Sequence, residues 1–255
     1  MINFLRKKYD KRELKILHQE YLKNKPYPHI MIDGLFNNLF LSQISRTFPD
    51  LEKAETNFVR SGGYGGPGKN CTREGCLIAK GFTKHFIRYL NSYEFVNLIQ
   101  GVTQIDEQLI VDHTLSGGGL HSTSKNGKLN LHIDFPKHRQ NGLDRRVNVL
   151  IYLNKNWQSE WEGDFVAVGK DFSAKSYLPN FNRTLIFETN DNTIHGHPSP
   201  LKCPINIKRN SIAMYYYTLG RPKEEINYPL SDSKKNSPRS TIYFEYEKLN
   251  YLEKK

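Results

Sequence analysis

Residues 129–135 read LNLHIDF. Apolar and polar side chains alternate through them with a period of two, the pattern of a half-buried β-strand. In a strand, residues i and i+2 share a face. His132 and Asp134 therefore project side by side, while Leu131, Ile133 and Phe135 face the other way into a core. An imidazole and a carboxylate on one face are two thirds of a facial triad, the ligand set that holds iron(II) and leaves positions open for small molecules. Alone, H-x-D is a weak signal, because a surface His–Asp hydrogen bond is its commoner meaning.

The strand texture extends to both sides. LIVDHTL (109–115), RVNVLIYLN (146–154), DFVAV (164–168), RTLIFET (183–189) and SIAMYYYT (211–218) are short apolar or alternating segments punctuated by Asn, Gly, Asp and Pro. Strands at this spacing predict an all-β sandwich or barrel. Upstream, helices are expected over 10–24 (with Asp10 as N-cap), 37–48 and 83–99, with a short strand at 26–33. The expected fold is mainly β with N-terminal helices, a jelly roll buttressed on one side. No repeat or linker divides the chain. It reads as one domain over 1–255, with a helical buttress at about 1–107, a jelly-roll core at about 108–220 and a C-terminal extension at 221–255. That extension is polar except for IYFEYEKLNYL (242–252), which carries enough aromatics to dock on the body. A glycine-rich loop, SGGYGGPGKN (61–70), lacks the G-x-x-x-x-G-K-[ST] phosphate pattern and reads as a loop beside a site.

Composition fits a globular chain: 255 residues, 37% hydrophobic and 25% charged. No apolar run is long enough to span a membrane. The charged N-terminus does not read as a signal peptide. Cys71, Cys76 and Cys203 are too few for a disulfide scaffold, and the first two lack C-x-x-C spacing. These features predict a cytoplasmic protein with reduced thiols and no membrane partner. The net charge is +11. Residues 1–26 hold eight Lys/Arg against three Asp/Glu. This excess suits a solvated helix face, and it also leaves nucleic acid open as a partner.

A third ligand must come from a distant strand. NTIHGHPSP offers His195 and His197, and strand parity lets either face a metal. Gly196 suits close backbone approach beside a crowded site, whereas Pro198 marks a strand end. Both favour His195 as ligand and leave His197 for the substrate side. Arg209 opens the strand RNSIAMYYYT fourteen residues after His195. Its guanidinium matches a carboxylate with two parallel hydrogen bonds, as a dicarboxylate cosubstrate would need. The ordered set of H-x-D, about sixty residues, His, then Arg before a strand is far more specific than any one member.

With these motifs in place, residues 117–218 resemble the iron(II)- and 2-oxoglutarate-dependent dioxygenases, in particular their prolyl 4-hydroxylase-like branch. The matching text is GGGLH (117–121), KLNLHIDF (128–135), LDRRVNVLIYLNKNW (143–157), FNRTLIFET (181–189) and HGHPSPLKCP followed by RNSIAMYYYT. PYPHIMIDGLF is also similar to that branch's N-terminal start. The resemblance implies a double-stranded β-helix core and the cofactors Fe(II) and 2-oxoglutarate, with ascorbate as a possible reductant. It implies His132, Asp134 and His195 as iron ligands and Arg209 on the distal carboxylate of 2-oxoglutarate. Tyr152 corresponds to a tyrosine that reaches the same carboxylate. His121 stands where relatives place a polar residue near the cosubstrate, or it is a loop histidine. Asn148 shares a strand face with Tyr152 and would line the pocket. Arg183 falls in a structural pattern. One departure stands out: relatives carry G-G-x-L-x-L where this chain reads WEGDFVAVG, so Glu162 replaces the first glycine and puts the strand pairing there in doubt.

The activity implied is hydroxylation of an unactivated C–H bond with dioxygen. The substrate would be a prolyl residue, another amino acid or peptide, or a small metabolite. Asp134 favours hydroxylation over halogenation, since related halogenases have a small residue there. The alternatives are a nucleic-acid oxygenase of the same chemistry and a non-catalytic jelly-roll binding module. The loops at 61–76 and 135–145 are expected to face the substrate.

Overall fold

The computed structural model describes residues 3–53, 59–61, 69–72, 79–232 and 237–244, with the backbone alone for 59–61 and 69–72. The first helix, α1 (Lys11–Lys23), starts where expected. The Asp10 carboxylate accepts the Glu13 N–H at 2.8 Å, and the Glu13 side chain accepts the Asp10 N–H at 3.0 Å, a reciprocal capping box. There follow β1 (His29–Asp33), α2 (Asn38–Arg46) capped by Asn37, β2 (Val59–Ser61) and β3 (Lys69–Thr72). The helix expected over 83–99 is two helices, α3 (Gly81–Leu90) and α4 (Tyr93–Thr103). Asn91 and Ser92 break it: the Ser92 hydroxyl accepts the Phe95 N–H at 3.4 Å and caps a new helix, a competition that apolar periodicity does not register.

The remaining elements are strands: β4 (Ile110–Val111), β5 (Gly119–Thr123), β6 (Leu129–Ile133), β7 (Asp144–Tyr152), β8 (Phe165–Val168), β9 (Ala174–Tyr177), β10 (Arg183–Glu188), β11 (Ile194–His197), β12 (Arg209–Thr218), β13 (Ser231–Asp232), β14 (Ser237–Pro238) and β15 (Ile242–Tyr243). The long strand expected over 109–115 shrinks to β4. Asp112 turns the chain by accepting the N–H groups of Thr114 at 2.8 Å and Ser116 at 2.6 Å.

Two antiparallel sheets face each other. The major sheet runs β1-β10-β7-β12-β5-β3-β2, with β4 on the end of β12; the minor sheet runs β15-β6-β11-β8-β9. This is the jelly roll expected from the strand pattern, in the double-stranded β-helix form that the resemblance implies. The major sheet also takes β1, β2 and β3 from the N-terminal part of the chain. Along β12, Ile212, Met214 and Tyr216 join the main apolar core with Val147, Val149 and Ile151 of β7 and with the helices. The alternate residues Arg209, Ser211, Ala213, Tyr215 and Tyr217 face the minor sheet and line the site. Phe86, fully buried, packs 4.9 Å from Phe36 and 5.2 Å from Phe4 between ring centroids and knits α3 to the N-terminal segment.

The sequence places Leu131, Ile133 and Phe135 together in one core, and the structure separates them. Leu131 packs with Val166 and Val168 on the outer side of the minor sheet. Phe135 lies beyond the end of β6, where the strand's alternation no longer holds, and stacks on Arg145, 4.4 Å from its guanidinium carbon. Part of the C-terminal extension docks as expected, through β15. Residues 62–68 of the glycine-rich loop, Cys76 and residues 245–255 lie outside the described residues. No helix among the described residues is long and apolar enough to cross a membrane.

The helical core lies behind the major sheet and the candidate site in front of it. Phe86→Ala is therefore expected to lower stability by about 3–5 kcal/mol through cavity formation, measured by urea unfolding, while metal uptake at the site by the folded fraction stays unchanged.

Candidate metal centre

Antiparallel pairing of β6 with β11 sets His132 directly opposite His195. Their ring centroids are 4.4 Å apart. Asp134, one residue past the end of β6, completes the group: one ligand atom from each of the three residues falls within 4.8 Å of the others. Asp134 Oδ1 lies 3.6 Å from His132 Nε2, and Oδ2 lies 3.4 Å from His195 Nε2. Among the described residues no other His/Cys/Asp/Glu group could hold a metal ion.

The backbone fixes both imidazoles. His132 Nδ1 donates to the Asn130 carbonyl at 2.9 Å, and His195 Nδ1 donates to the Thr193 carbonyl at 3.2 Å. With the proton on Nδ1, each Nε2 presents a lone pair to the cluster, the usual arrangement for a metal ligand. Burial, and then the neighbouring His132, push His195 down to about 3, so its ring is neutral at ordinary pH. Burial alone would raise the Asp134 carboxyl, but Arg145 and the two imidazoles hold it well below the usual carboxylate range.

Arg145 is the residue that sequence reasoning missed. It is almost fully buried, clamped with its guanidinium carbon 3.4 Å from the Tyr215 ring centroid and stacked on Phe135. Its Nη2 donates to Asp134 Oδ2 at 2.9 Å. Nε and Nη2 also donate to Asn148 Oδ1 at 2.9 and 2.8 Å, and Asn148 Nδ2 donates to Asp134 Oδ2 at 2.8 Å. Asn148 thus faces the site, as strand parity predicts, yet its contact is with the carboxylate ligand. Arg145 Nη1 is buried and has no partner. The loop from Asp134 to Arg145 is pinned from behind by His138, whose Nε2 lies 3.3 Å from Asp112 Oδ2.

The basic end of the site is built on β12. Arg209, 5% exposed, donates from Nε to the Gly163 carbonyl at 2.7 Å and from Nη2 to Tyr152 Oη at 3.4 Å. No carboxylate lies within ion-pair distance of it among the described residues. A buried guanidinium without a counter-charge is costly, so this end is suited to an anion from outside. Thr123, paired with Arg209 across β5 and β12, has a buried hydroxyl with no partner. Along the adjacent row, Tyr152, Ser211 and His121 stand opposite one another on β7, β12 and β5, so His121 is a strand residue and not a loop one. Burial raises the Tyr152 phenol, which keeps it neutral and able to donate.

His197 is buried at the end of β11 and stands outside the cluster. A register shift on β6 puts it opposite Leu129. Between the two histidines, a Cβ on Gly196 would sit 2.8 Å from the carbonyl oxygens of both Leu129 and Asn130. Only glycine permits this close approach of β11 to β6, as expected from the HGH text. Arg183 pairs with Asp33 at 2.7 and 2.8 Å on β1, a structural contact. The departure at Glu162 is absorbed by the backbone: Glu162 adopts φ 59° and ψ −159°, a conformation that glycine favours. β8 still pairs in register with β11 and β9.

These features agree with comparisons to known proteins. Residues 118–217 match the sequence profile described as 2OG-Fe(II) oxygenase superfamily. The matched segment runs from β5 into β12 and holds His132, Asp134, His195 and Arg209. The fold is similar to that of a Trichoplax adhaerens prolyl hydroxylase solved with a hypoxia inducible factor peptide fragment. That likeness has a TM-score of 0.56 at 18% identity and covers 82% of this chain and 90% of that one. It is similar as well to a Pseudomonas putida prolyl-4-hydroxylase (TM-score 0.53, 10% identity, 81% of this chain and 100% of that one). HygX from Streptomyces hygroscopicus, solved with nickel, 2-oxoglutarate and hygromycin B, gives a TM-score of 0.55 at 14% identity over 85% of this chain and 92% of that one. At these identities the likeness is one of fold. No curated protein matches the chain by sequence.

Two substitutions test the local geometry. Gly196→Ala forces β11 away from β6 and is expected to abolish metal uptake in a chain that still folds, checked by metal analysis beside circular dichroism. Glu162→Gly relieves the strained backbone at the cost of an exposed ion pair to Lys202. The expected net gain is about 1 kcal/mol, seen as a raised urea midpoint.

Proposed function

We propose that the chain is an Fe(II)- and 2-oxoglutarate-dependent dioxygenase that hydroxylates an unactivated C–H bond of a prolyl residue or another amino acid or peptide. The observation that carries this reading is the convergence of His132 Nε2, His195 Nε2 and Asp134 with both Nδ1 protons tied to backbone carbonyls. Two imidazoles that present Nε2 and one carboxylate fit a divalent iron and leave part of its coordination sphere open. Iron(II) bound there, with 2-oxoglutarate and dioxygen, supplies the oxidant for hydroxylation while 2-oxoglutarate is converted to succinate and carbon dioxide.

The protein's own residues bind and orient. Asp134 Oδ2 is occupied by Arg145 and Asn148, which leaves Oδ1 for the metal and fixes the plane of the carboxylate. Arg209, Tyr152 and the Thr123 hydroxyl receive the distal carboxylate of 2-oxoglutarate, with His121 in the neighbouring row. Arg145 Nη1, beside the carboxylate ligand, is placed to donate to an acceptor group on the substrate, and His197 is assigned to the substrate side. The basic N-terminal helix packs through Leu14 and Leu17 against the helical core behind the major sheet. Its lysines therefore do not line the site, which favours an amino acid or peptide substrate over nucleic acid.

Three measurements test this reading. Screening for substrate-stimulated succinate formation with proline, prolyl peptides and other amino acids should find a stimulating compound, and none in any class would defeat the hydroxylase reading. Arg209→Ala should weaken 2-oxoglutarate binding by about 2–5 kcal/mol, or roughly 30- to several-thousand-fold; unchanged affinity in a calorimetric titration would move the anchor elsewhere. His195→Ala should remove iron whereas His197→Ala retains it, followed by the charge-transfer band of the anaerobic iron(II)·2-oxoglutarate complex.

A further inference from the structure

The C-terminal extension leaves β12 and returns twice to the elements that carry the histidines. Its first contact is with Asp191, in the turn 190–193 between β10 and β11. That turn is closed by a Thr193 N–H donating to the Asn190 carbonyl at 3.2 Å, and its Thr193 carbonyl holds His195 Nδ1. The buried Asp191 carboxylate takes three donors from the extension. Oδ2 accepts the N–H groups of Asn227 and Tyr228, both at 2.9 Å, and Oδ1 accepts Arg239 Nη2 at 2.6 Å. The Asp191 N–H in turn donates to the Glu225 carbonyl at 3.2 Å.

The second contact is made just beyond Arg239. β15 adds to β6 with Ile242 opposite Ile133 and Tyr243 opposite His132, and the Phe244 N–H donates to the Leu131 carbonyl at 2.8 Å. The Tyr243 ring centroid lies 5.5 Å from that of His132. Phe244, like Ile194, packs against the cluster of Leu131, Val166 and Val168 on the outer side of the minor sheet. Without β15, β6 would be the edge of that sheet. A strand at an edge keeps half of its backbone groups unpaired and frays more readily than one held on both sides. Metal geometry tolerates little slack in a ligand's support.

We propose that residues 225–232 and 237–244 are a positioning device for the two histidines, with the Asp191–Arg239 ion pair as its pin. One arm holds the turn that orients His195, and the other closes the strand that carries His132. Arg239 and Asp191 act through these elements and touch neither metal nor substrate. The proposal rests on reading the cluster as a metal centre.

The test is anaerobic titration of the full chain with Fe(II), and with Co(II) as a spectroscopic probe. Arg239→Ala removes the pin. Phe244→Pro removes the N–H that ties β15 to β6 without touching Arg239, so it stands as an independent variant. Each should weaken metal binding by about tenfold or more, the usual effect of losing an outer support. Arg239→Lys, which keeps a charge for Asp191, should recover most of the affinity. In the metal-free protein, the His132 and His195 Nδ1 protons should exchange faster with solvent in both variants, a change that a general loss of stability confined to the helical core would not produce. Wild-type affinity and exchange in both variants would overturn this proposal alone. A wild-type chain that takes up neither metal would remove the metal-centre reading and this proposal with it.

Discussion

The approach of β11 to β6 at Gly196 governs the geometry of everything around it. The carbonyls of Leu129 and Asn130 sit where a side chain would begin, so the strands come close enough for His132 and His195 to stand ring against ring. Asn130 also supplies the carbonyl that orients His132. One short stretch of β6 therefore sets the separation of the two imidazoles and the tautomer of one. The register shift between His195 and His197 belongs to the same arrangement, because it carries His197 out of line with the cluster.

A carboxylate this buried needs compensation. Arg145 supplies it, and the rings of Phe135 and Tyr215, set edge-to-face to each other, both lie against the guanidinium and hold it in place. A buried ion pair contributes little net stability once desolvation is counted. Its value here is geometric: with Oδ2 taken by Arg145 and Asn148, the carboxylate has one orientation and one oxygen left to offer. The same low-polarity surroundings make Arg209 the contrasting case. It donates hydrogen bonds to a carbonyl and to a phenol oxygen and has no carboxylate within ion-pair distance among the described residues, so the fold carries an unbalanced cation at one end of the site and a balanced one at the other.

Much of this was legible in the sequence. A period of two in LNLHIDF puts His132 and Asp134 on one side, and the small residue after His195 marks the close approach. Arg209 stands out as the basic residue that opens a strand. Strand parity along β7 also places Asn148 and Tyr152 inward. Extended two residues further, the same parity would bring Arg146 into the site, and the structure brings Arg145. The pairing with β12 shifts between Tyr216 and Tyr217, so that Tyr217 faces Arg145. The irregularity reverses the alternation, and Arg146 points away to Glu107 and Glu225, each at 3.1 Å. Nothing local in DRRVN announces that shift. Asp191 with Arg239 and Asp112 with His138 are separated by 48 and 26 residues, and pairs so distant become neighbours only through tertiary packing.

Charge is distributed in keeping with this division of the molecule. The net +11 suggests a surface for polyanions, yet the densest basic segment, residues 6–15, leads into and opens α1, whose apolar side packs against the helices behind the major sheet. The cations that matter to the site are few and buried. Arg145 answers Asp134 from within the chain. Arg209 has no carboxylate within ion-pair distance among the described residues, so the fold leaves this buried charge open to an anion from outside. Binding such an anion then removes an electrostatic cost that folding alone leaves in place, and part of its affinity follows from that relief rather than from new contacts.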